Sequence, residues 1–172
     1  QIWTQHLAQT FLERGGQFEA VAVSRLSQDD GEAVLETHQV QRRADFAVVA
    51  AGAYSHHLSK TLNEPVPLET ERGYNTTLPA GAFDLRLHLT FAGHGFVVTC
   101  NKGGVRVGGA VELGGLNRPP NYRRSDILLK KAARFMPGLD TGNGERWMGF
   151  RPSLPDSLPI LDRSAKAQRV LY

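Results

Sequence analysis

Three prolines fall within the eight residues from Pro152 to Pro159, directly after the apolar run at 147–150. Because proline fixes φ and has no backbone N–H, this stretch is excluded from helix interiors and from central strands. It predicts a stiff, extended path that leads off the end of a strand. Arg151 stands where the path begins, so its guanidinium is held at low entropic cost. Its planar fork suits bidentate capture of a carboxylate, and the alternative is an ordinary surface ion pair.

Composition sets the outer limits of the class of protein. A chain of 172 residues with 41% hydrophobic and 22% charged residues predicts a globular domain with a proper core. The net charge of +3 is too small and too dispersed to indicate nucleic acid as a partner. A single cysteine, Cys100, excludes an intrachain disulfide and a cysteine-based metal cluster. No apolar run is long enough to span a membrane, so we predict no transmembrane segment, and the cysteine usage predicts a cytoplasmic protein.

The two ends of the chain resemble cut edges. A helical pattern is under way at residue 2, with Trp3, Leu7 and Phe11 on one face, and it stops at Gly15–Gly16. At the other end, residues 169–172 look like a strand that has only just begun. We therefore interpret the chain as an internal piece of a larger protein.

Strand signals dominate the first third of the chain. Residues 18–26 and 33–40 alternate around turn residues at 28–31, which predicts a β-hairpin with a slightly long loop. The apolar run at 44–55 predicts a strand buried on both faces, the usual situation in parallel sheets. Ser55 is predicted to cap a short helix that reaches about residue 62.

Two small residues follow that apolar run. Ala51 and Gly52 have almost no side chain, so a ligand could lie directly on the backbone there. The alternative is close packing of a helix on a strand, and the sequence leaves both open.

The middle of the chain predicts a sheet built from residues 69–78, 85–91, 96–100 and 105–112, the last three forming an antiparallel meander. Tyr74 has two interpretations: a buried tyrosine that needs a hydrogen-bond partner, or a pocket residue that offers a ring and a hydroxyl. Gly108–Gly109 indicates a bulge or a close backbone approach. Ser125 is predicted to cap a helix that presents Leu128, Ala132 and Phe135 on one face.

Catalysis by side chains alone is poorly supported. The six histidines do not fall at metal-ligand spacing, and no nucleophile elbow or cysteine–histidine pair is present. A cofactor that carries the chemistry would remove the need for such groups.

Several short motifs, taken in order, resemble the D-amino-acid oxidase (DAO) superfamily of FAD-dependent amine oxidoreductases, which includes glycine oxidase, sarcosine oxidase and bacterial D-amino-acid dehydrogenases. The resemblance covers nearly the whole chain. The segments that carry it are Val23-x-x-Leu26, the run at 44–55, Val66-Pro67-Leu68, Glu71-Arg72-Gly73-Tyr74, residues 107–112, residues 135–139, and Gly149-Phe150-Arg151-Pro152-x-x-Pro155-Asp156-x-Leu158-Pro159-Ile160.

The resemblance implies FAD as cofactor and a small-molecule amino acid as substrate. Val23 would contact the adenine side of FAD, and Ala51, Gly52 and Ser55 would lie along the dinucleotide after a Rossmann strand. Arg151 would hold the substrate carboxylate, with Tyr74 as a second pocket group. The reaction implied, for a D-amino acid or a glycine-like substrate, is hydride transfer from Cα to the flavin; the imino acid then hydrolyses to a keto acid and ammonia.

The predicted fold class is α+β: an antiparallel or mixed sheet of a substrate domain with flanking helices, plus part of a Rossmann-type FAD-binding domain. We assign residues 1–64 to the partial FAD-binding domain, 65–150 to the substrate-binding sheet and 151–172 to the return toward the FAD-binding domain. The family's Gly-x-Gly-x-x-Gly fingerprint and its C-terminal glycine-rich segment are absent from this sequence. We therefore expect the chain alone to bind FAD weakly or not at all and to be inactive.

Two rival functions remain open on the sequence. One is an FAD-dependent oxidase of secondary amines such as sarcosine or proline, which would keep the arginine and differ around Tyr74. The other is a non-catalytic binding module whose sheet edge pairs with a partner. Homo-oligomerisation is compatible with either, and the electron acceptor, oxygen or a quinone, is left open.

Overall fold

The structure is a computed structural model that describes residues 2–101 and 103–172. The chain divides into two compact units. Unit 1 comprises residues 1–49, 57–64 and 162–172, and unit 2 comprises residues 50–56 and 65–161. The sequence predicted domain boundaries at 64/65 and 150/151. The structural units share the boundary at 64/65, but the second boundary lies at 161/162, and residues 50–56 belong to unit 2. Which unit serves cofactor or substrate stays a prediction.

Unit 1 begins with helix α1 (Ile2–Glu13). Its end is a Schellman motif, in which Gly16 N–H donates to the Phe11 carbonyl and Gly15, with φ of 87°, donates to that of Leu12. The predicted stop at Gly15–Gly16 is therefore confirmed.

A three-stranded antiparallel sheet follows, ordered β1 (Val23–Asp29), β2 (Glu32–Thr37) and β3 (Gln41–Ala44). The hairpin prediction is confirmed, but its first strand begins at Val23 rather than at residue 18. The loop is tighter than predicted, because Asp30 (φ 48°) and Gly31 (φ 77°) both adopt left-handed conformations and close a two-residue turn. Strand β3 was not predicted, since Arg42 and Arg43 interrupt any apolar alternation.

The apolar run at 44–55 forms a much shorter strand than predicted. Only β4 (Ala47–Val48) is a strand, and it pairs in parallel with β10 (Val170–Leu171), which confirms the parallel pairing and the strand at the C-terminal end. Val48 is 68% exposed, so burial on both faces was wrong for this residue. The core of unit 1 consists of Leu26, Ala33, Ala47, Val49, Leu62, Ala167 and Val170.

A one-turn 3₁₀ helix (Gly52–Tyr54) leads directly into α2 (Ser55–Thr61), which crosses from unit 2 into unit 1. Ser55 has helical φ and ψ of −56° and −35°, so it is the first helical residue and not a cap. The predicted short helix exists, but its predicted capping residue was wrong.

Unit 2 is built on a five-stranded antiparallel sheet with the order β6-β7-β8-β5-β9. Its strands are β5 (Glu69–Leu78), β6 (Leu89–Phe91), β7 (Phe96–Asn101), β8 (Gly104–Leu113) and β9 (Glu145–Ser153). Helix α3 (Arg123–Phe135) packs on one face of this sheet. The core between them consists of Leu78, Ala82, Leu85, Phe96, Val98, Val105, Val107, Leu128, Ala132, Met136 and Leu139. The α+β class with antiparallel sheets is confirmed.

The meander β6-β7-β8 is confirmed, although β6 begins at Leu89 and not at Leu85. Helix α3 is confirmed with Leu128 and Ala132 buried, but Ser125 lies inside the helix and is buried, so it does not cap it. The turn predicted at 101–104 includes Lys102, which lies outside the described residues.

Gly109 forms a β-bulge, as the sequence predicted. The β5–β8 pairing passes from Tyr74↔Ala110 to Asn75↔Gly108, so Gly109 is the extra residue. Its φ is +138°, and a Cβ there would come within 2.6 Å of the Gly95 carbonyl oxygen and 2.8 Å of Phe96 Cα. Both interpretations of this glycine pair, bulge and close backbone approach, are confirmed at Gly109.

Strand β9 forms one edge of the sheet and carries Arg151 and Pro152 near its end. An edge is the position in which a strand tolerates proline, so the exclusion from a central strand is confirmed. Arg151 itself lies within the strand and not beyond it. Within the described part of the chain, no helix combines the length and the apolarity that crossing a membrane requires.

Glu64 holds the C-terminal segment of unit 1 through three hydrogen bonds. Its carboxylate accepts hydrogen bonds from Ser164 Oγ (2.6 Å), from Ala165 N–H (2.8 Å) and from the Tyr172 hydroxyl (3.1 Å). The Ser164 bond is the largest cause of a lowered pKa of the Glu64 carboxyl. Burial, followed by the Glu64 bond, raises the pKa of Tyr172 to about 12.

We predict that Tyr172 ionises late in an alkaline titration. Because its pKa is raised in the folded state above the usual 10.0, its contribution to stability is complete below pH 10 and is lost as pH rises toward about 12. Phenolate absorbance measured on the wild type and on Tyr172→Phe isolates this group by difference from the other tyrosines. A difference curve with its midpoint at the ordinary tyrosine pKa would contradict the burial of the Tyr172 hydroxyl together with its hydrogen bond to Glu64.

Candidate active site

Strand β5 separates its side chains onto two faces of the five-stranded sheet. Glu71, Gly73 and Asn75 alternate with Arg72 and Tyr74, so the two sets point in opposite directions. We call the face of the first set the open face. It consists of three rows across β8, β5 and β9: Leu113–Glu71–Arg151, Val111–Gly73–Gly149 and Gly108–Asn75–Trp147.

Arg151 lies on the open face and extends over Gly73. A Cβ on Gly73 would stand 3.1 Å from both Nε and Nη2 of Arg151, so the guanidinium rests on bare backbone. Its side chain is 55% exposed, and its ion pair with Glu71 spans 4.0 Å, the outer limit of such a contact. The surface ion pair considered from the sequence is therefore present but loose. Most of the guanidinium fork stays available to a second anion.

Trp147 lies two residues along the same face of β9. Its indole covers Gly149, because a Cβ on Gly149 would overlap the ring. Two adjacent glycines, Gly73 and Gly149, thus carry two planar groups, a guanidinium and an indole, on the open face. Trp147 was not among the residues predicted for the site. Its even distance from Arg151 along an extended segment was the available signal.

Tyr74 lies on the opposite face and is only 2% exposed. Its hydroxyl donates to Glu112 Oε2 at 2.5 Å and accepts from Asn121 N–H at 3.0 Å. Of the two interpretations of Tyr74, the buried tyrosine with hydrogen-bond partners describes this geometry. The structure does not bring Tyr74 and Arg151 to one face of the sheet, because their positions in β5 and β9 differ in parity.

Arg72 is fully buried beside Tyr74, at 0% exposure. Its guanidinium donates to the carbonyls of Gly115 (2.7 Å), Arg118 (2.5 Å) and Pro119 (3.2 Å). It also lies 5.6 Å from the centroid of the Phe150 ring. Arg72 therefore fastens the loop after β8 to the sheet, at the end of the sheet where Arg151 lies.

Glu112 completes this buried network. It lies 3.9 Å from Arg72 Nη1 and 3.5 Å from Arg124 Nε. The hydrogen bond from Tyr74 is the main reason that the pKa of the Glu112 carboxyl is lowered, and the charges of Arg124 and Arg72 add to it. Neither Arg72 nor Glu112 was predicted as part of this network, since a buried arginine is rare and no local pattern distinguishes it or its half-buried carboxylate partner.

The predicted cofactor turn lies in unit 2. Ala51 and Gly52 are exposed, Gly52 has φ of 56°, and no heavy atom lies within 4 Å of a Cβ placed on it. Close helix-to-strand packing, the alternative from the sequence, does not describe Gly52. Two residues later, Tyr54 packs edge to face on Phe150, 6.2 Å between ring centroids. Phe150 precedes Arg151, so the turn contacts the strand that carries the predicted substrate arginine.

Val23 belongs to unit 1, at the start of β1, where it pairs with Thr37 beside a register shift. Its half-buried side chain packs against the core of that unit. Small exposed residues at 51–52 fit a dinucleotide lying on the backbone, since nothing occupies the space above Gly52. The roles of Val23, Ala51, Gly52 and Ser55 toward a cofactor stay predictions.

Comparison with known proteins identifies the family. The model of the FAD-dependent oxidoreductase family DAO matches residues 2–172, and the chain therefore belongs to this family. Its cofactor is FAD. The resemblance inferred from the sequence motifs is thus confirmed, as are the enzyme class and the cofactor predicted from it.

Two curated relatives are similar to this chain in sequence. A D-amino-acid oxidase of Bradyrhizobium diazoefficiens is 34% identical over 143 residues, which are 81% of this chain and 34% of that protein. A D-amino acid dehydrogenase of Paramagnetospirillum magneticum is 33% identical over 166 residues, which are 92% of this chain and 39% of that protein. The chain thus spans well under half of the length of these relatives.

Solved structures agree on the fold. L-proline dehydrogenase from P. horikoshii superposes with a TM-score of 0.82 at 18% identity, covering 98% of this chain and 47% of that one. Glycine oxidase from Geobacillus kaustophilus superposes with a TM-score of 0.76 at 22% identity, covering 90% and 42%. At these identities the likeness concerns the fold alone.

Proposed function

We propose that this protein acts as an FAD-dependent oxidoreductase that oxidises the C–N bond of a D-amino acid or a glycine-like amino acid. The observation that carries the proposal is the position of Arg151. A half-exposed guanidinium lies on the bare backbone of Gly73, on an open sheet face, with only a loose ion pair to Glu71. The names of the two curated relatives, an oxidase and a dehydrogenase of D-amino acids, point to the same substrate class.

Arg151 would bind the substrate carboxylate. A fork of parallel N–H donors matches the two oxygens of a carboxylate and fixes the direction from which the rest of the substrate extends. Because Gly73 has no side chain, the guanidinium can lie against the backbone there, with about half of the Arg151 side chain exposed. Arg151 thus contributes orientation, the main requirement when a cofactor carries the chemistry.

FAD, when bound, supplies the acceptor for the hydride that leaves the substrate Cα. Ala51 and Gly52 would hold it through exposed backbone, with Ser55 at the start of the next helix and Val23 on the adenine side. The packing of Tyr54 on Phe150 attaches the predicted cofactor turn to β9, on the face of the sheet opposite Arg151. These assignments rest on the family and on the shape of the turn.

Tyr74 would act as a positioning residue on the far side of the sheet. With Glu112 and Asn121 it connects β5, β8 and the loop that follows β8. In this role Tyr74 supports the pocket from behind.

The test is a titration with FAD, followed by flavin fluorescence, on this chain and on the chain extended at both ends. We expect tight binding by the extended chain, weak or no binding by this chain, and bleaching of the bound flavin by D-amino acids. An extended chain that binds no flavin would remove the mechanism and favour a non-catalytic binding module. Flavin that binds but is bleached only by sarcosine or proline would reassign the substrate to secondary amines.

A further inference from the structure

The rows of the open face differ in charge. Arg151 and Glu71 lie in the first row beside the exposed Leu113, whereas the next two rows hold glycines, Asn75, Val111 and Trp147. The row that follows on the same side of the sheet, Arg106–Thr77–Glu145, is charged again. Val111 is 41% exposed and Trp147 is 55% exposed, although both are large and apolar. A molecule with a carboxylate at one end and an apolar group at the other matches this order.

Trp147 borders the place where Arg151 would hold a carboxylate. The guanidinium lies on Gly73 and the indole on Gly149, and these two glycines are direct partners in the β5–β9 register. Side chains of directly paired strand residues are about 5 Å apart, so groups resting on them are within reach of one small ligand. With its carboxylate on Arg151, an amino acid can place its side chain on the exposed part of the indole.

Glu71 acts against substrates with an acidic side chain. Its carboxylate already lies 4.0 Å from Arg151 Nη2 and accepts a hydrogen bond from Ser153 Oγ at 3.2 Å, which holds it in place. A second negative charge on the substrate would meet this carboxylate, and the other positions of the three rows carry no cation. The next cation on this side of the sheet, Arg106, lies in the row beyond Trp147, where its Nε donates to Thr77 Oγ1 at 3.1 Å.

From this arrangement we infer that Trp147 determines side-chain specificity and selects amino acids with an apolar side chain over glycine and over acidic amino acids. The inference rests on the proposed function and deepens it. Arg151 holds the group that all amino acids share, and Trp147 contacts the group in which they differ. Gly149 is needed to position the indole, because only a residue without Cβ lets the ring lie flat there.

The experiment compares kcat/KM for D-phenylalanine, glycine and D-glutamate in the FAD-loaded chain extended at both ends. For Trp147→Ala we expect the ratio of D-phenylalanine to glycine to fall about tenfold, mainly through KM, because a partly buried apolar contact is lost. Trp147→Phe should retain most of the ratio. Gly149→Ala should lower it as well, since the added methyl displaces the indole without removing it. Trp3→Ala, the other tryptophan, serves as control and should leave the ratio unchanged.

The outcomes separate the two proposals. If the enzyme oxidises amino acids but the ratio is the same in Trp147→Ala, Gly149→Ala and the wild type, the inference about Trp147 is wrong and the proposed function stands. A wild type that prefers D-glutamate to D-phenylalanine would also overturn it. If no amino acid is oxidised by the FAD-loaded enzyme, the proposed function fails and this inference fails with it.

Discussion

Replacement of Arg151 by methionine is expected to weaken carboxylate binding about 30-fold or more. Removing the cation from a desolvated charge pair costs roughly 2–5 kcal/mol; since Arg151 is half-exposed, the lower end of that range applies, and each 1.4 kcal/mol corresponds to a factor of ten. Methionine keeps an unbranched apolar stem over Gly73, so the loss reports the guanidinium rather than the packing. The measurement is a calorimetric titration of the FAD-loaded, extended chain with benzoate, a carboxylate that has no amine to oxidise.

Arg146→Met is the matched control for this change. Arg146 lies in the same strand and is 50% exposed, but it faces the other side of the sheet, where it pairs with Asp126 at 3.5 Å and lies over the Tyr122 ring. The Arg146→Met substitution should leave benzoate binding unchanged. Arg151→Lys keeps the charge and loses the fork, so we expect an intermediate affinity. Equal losses in the Arg146 and Arg151 variants would indicate a general effect of charge and would contradict a specific site at Arg151.

Substitution of Arg72 by methionine is expected to destabilise the protein by about 2–4 kcal/mol, because the acceptors around Arg72 lose a buried charged donor. The carbonyls of Gly115, Arg118 and Pro119 lose their donor, and Glu112 loses one of its two neighbouring cations. Urea unfolding gives the free-energy change. Hydrogen exchange should show lost protection in the segment around Asn121, whose N–H donates to Tyr74.

Arg86→Met provides the comparison for Arg72. Arg86 is 84% exposed and pairs only with the equally exposed Asp84, so its replacement should change stability by no more than about 0.5 kcal/mol. If Arg72→Met were as mild as Arg86→Met, the three carbonyl contacts would contribute nothing net, and the loop after β8 would be held by other means.

The sequence predicted much of the fold because its strands and its first and third helices carry strong local signals. Gly15 ends α1, Asp30–Gly31 closes the hairpin, and Gly109 marks the bulge, each because a left-handed or crowded backbone conformation requires glycine or tolerates few other residues. Arg151 was located for the same reason, since Pro152 restricts its strand to an edge. These features depend on neighbours in the chain.

What escaped prediction depends on partners distant in the chain. Arg72 is buried against carbonyls more than forty positions away, and Glu112 accepts its hydrogen bond from Tyr74 at a separation of 38 residues. The face on which Tyr74 lies follows from its parity relative to Arg151 across the β5–β9 register, which no local pattern supplies. The predicted length of β4 was wrong for a related reason. Apolar composition indicates where a chain prefers burial, but the partner strand decides how many residues pair.

The bulge at Gly109 has a consequence for the whole of β8. Before it, Val105 and Val107 are in the core; after it, Val111 and Leu113 share the open face, although all four have odd numbers. The one extra residue moves the odd-numbered side chains from the core face to the open face halfway along the strand. If Gly109 instead paired regularly with Tyr74, Glu112 would lie on the open face, near the place proposed for the substrate carboxylate, and Val111 and Leu113 would turn to the face of Arg72. A single backbone unit therefore decides whether the anion of this strand supports the pocket from behind or competes inside it.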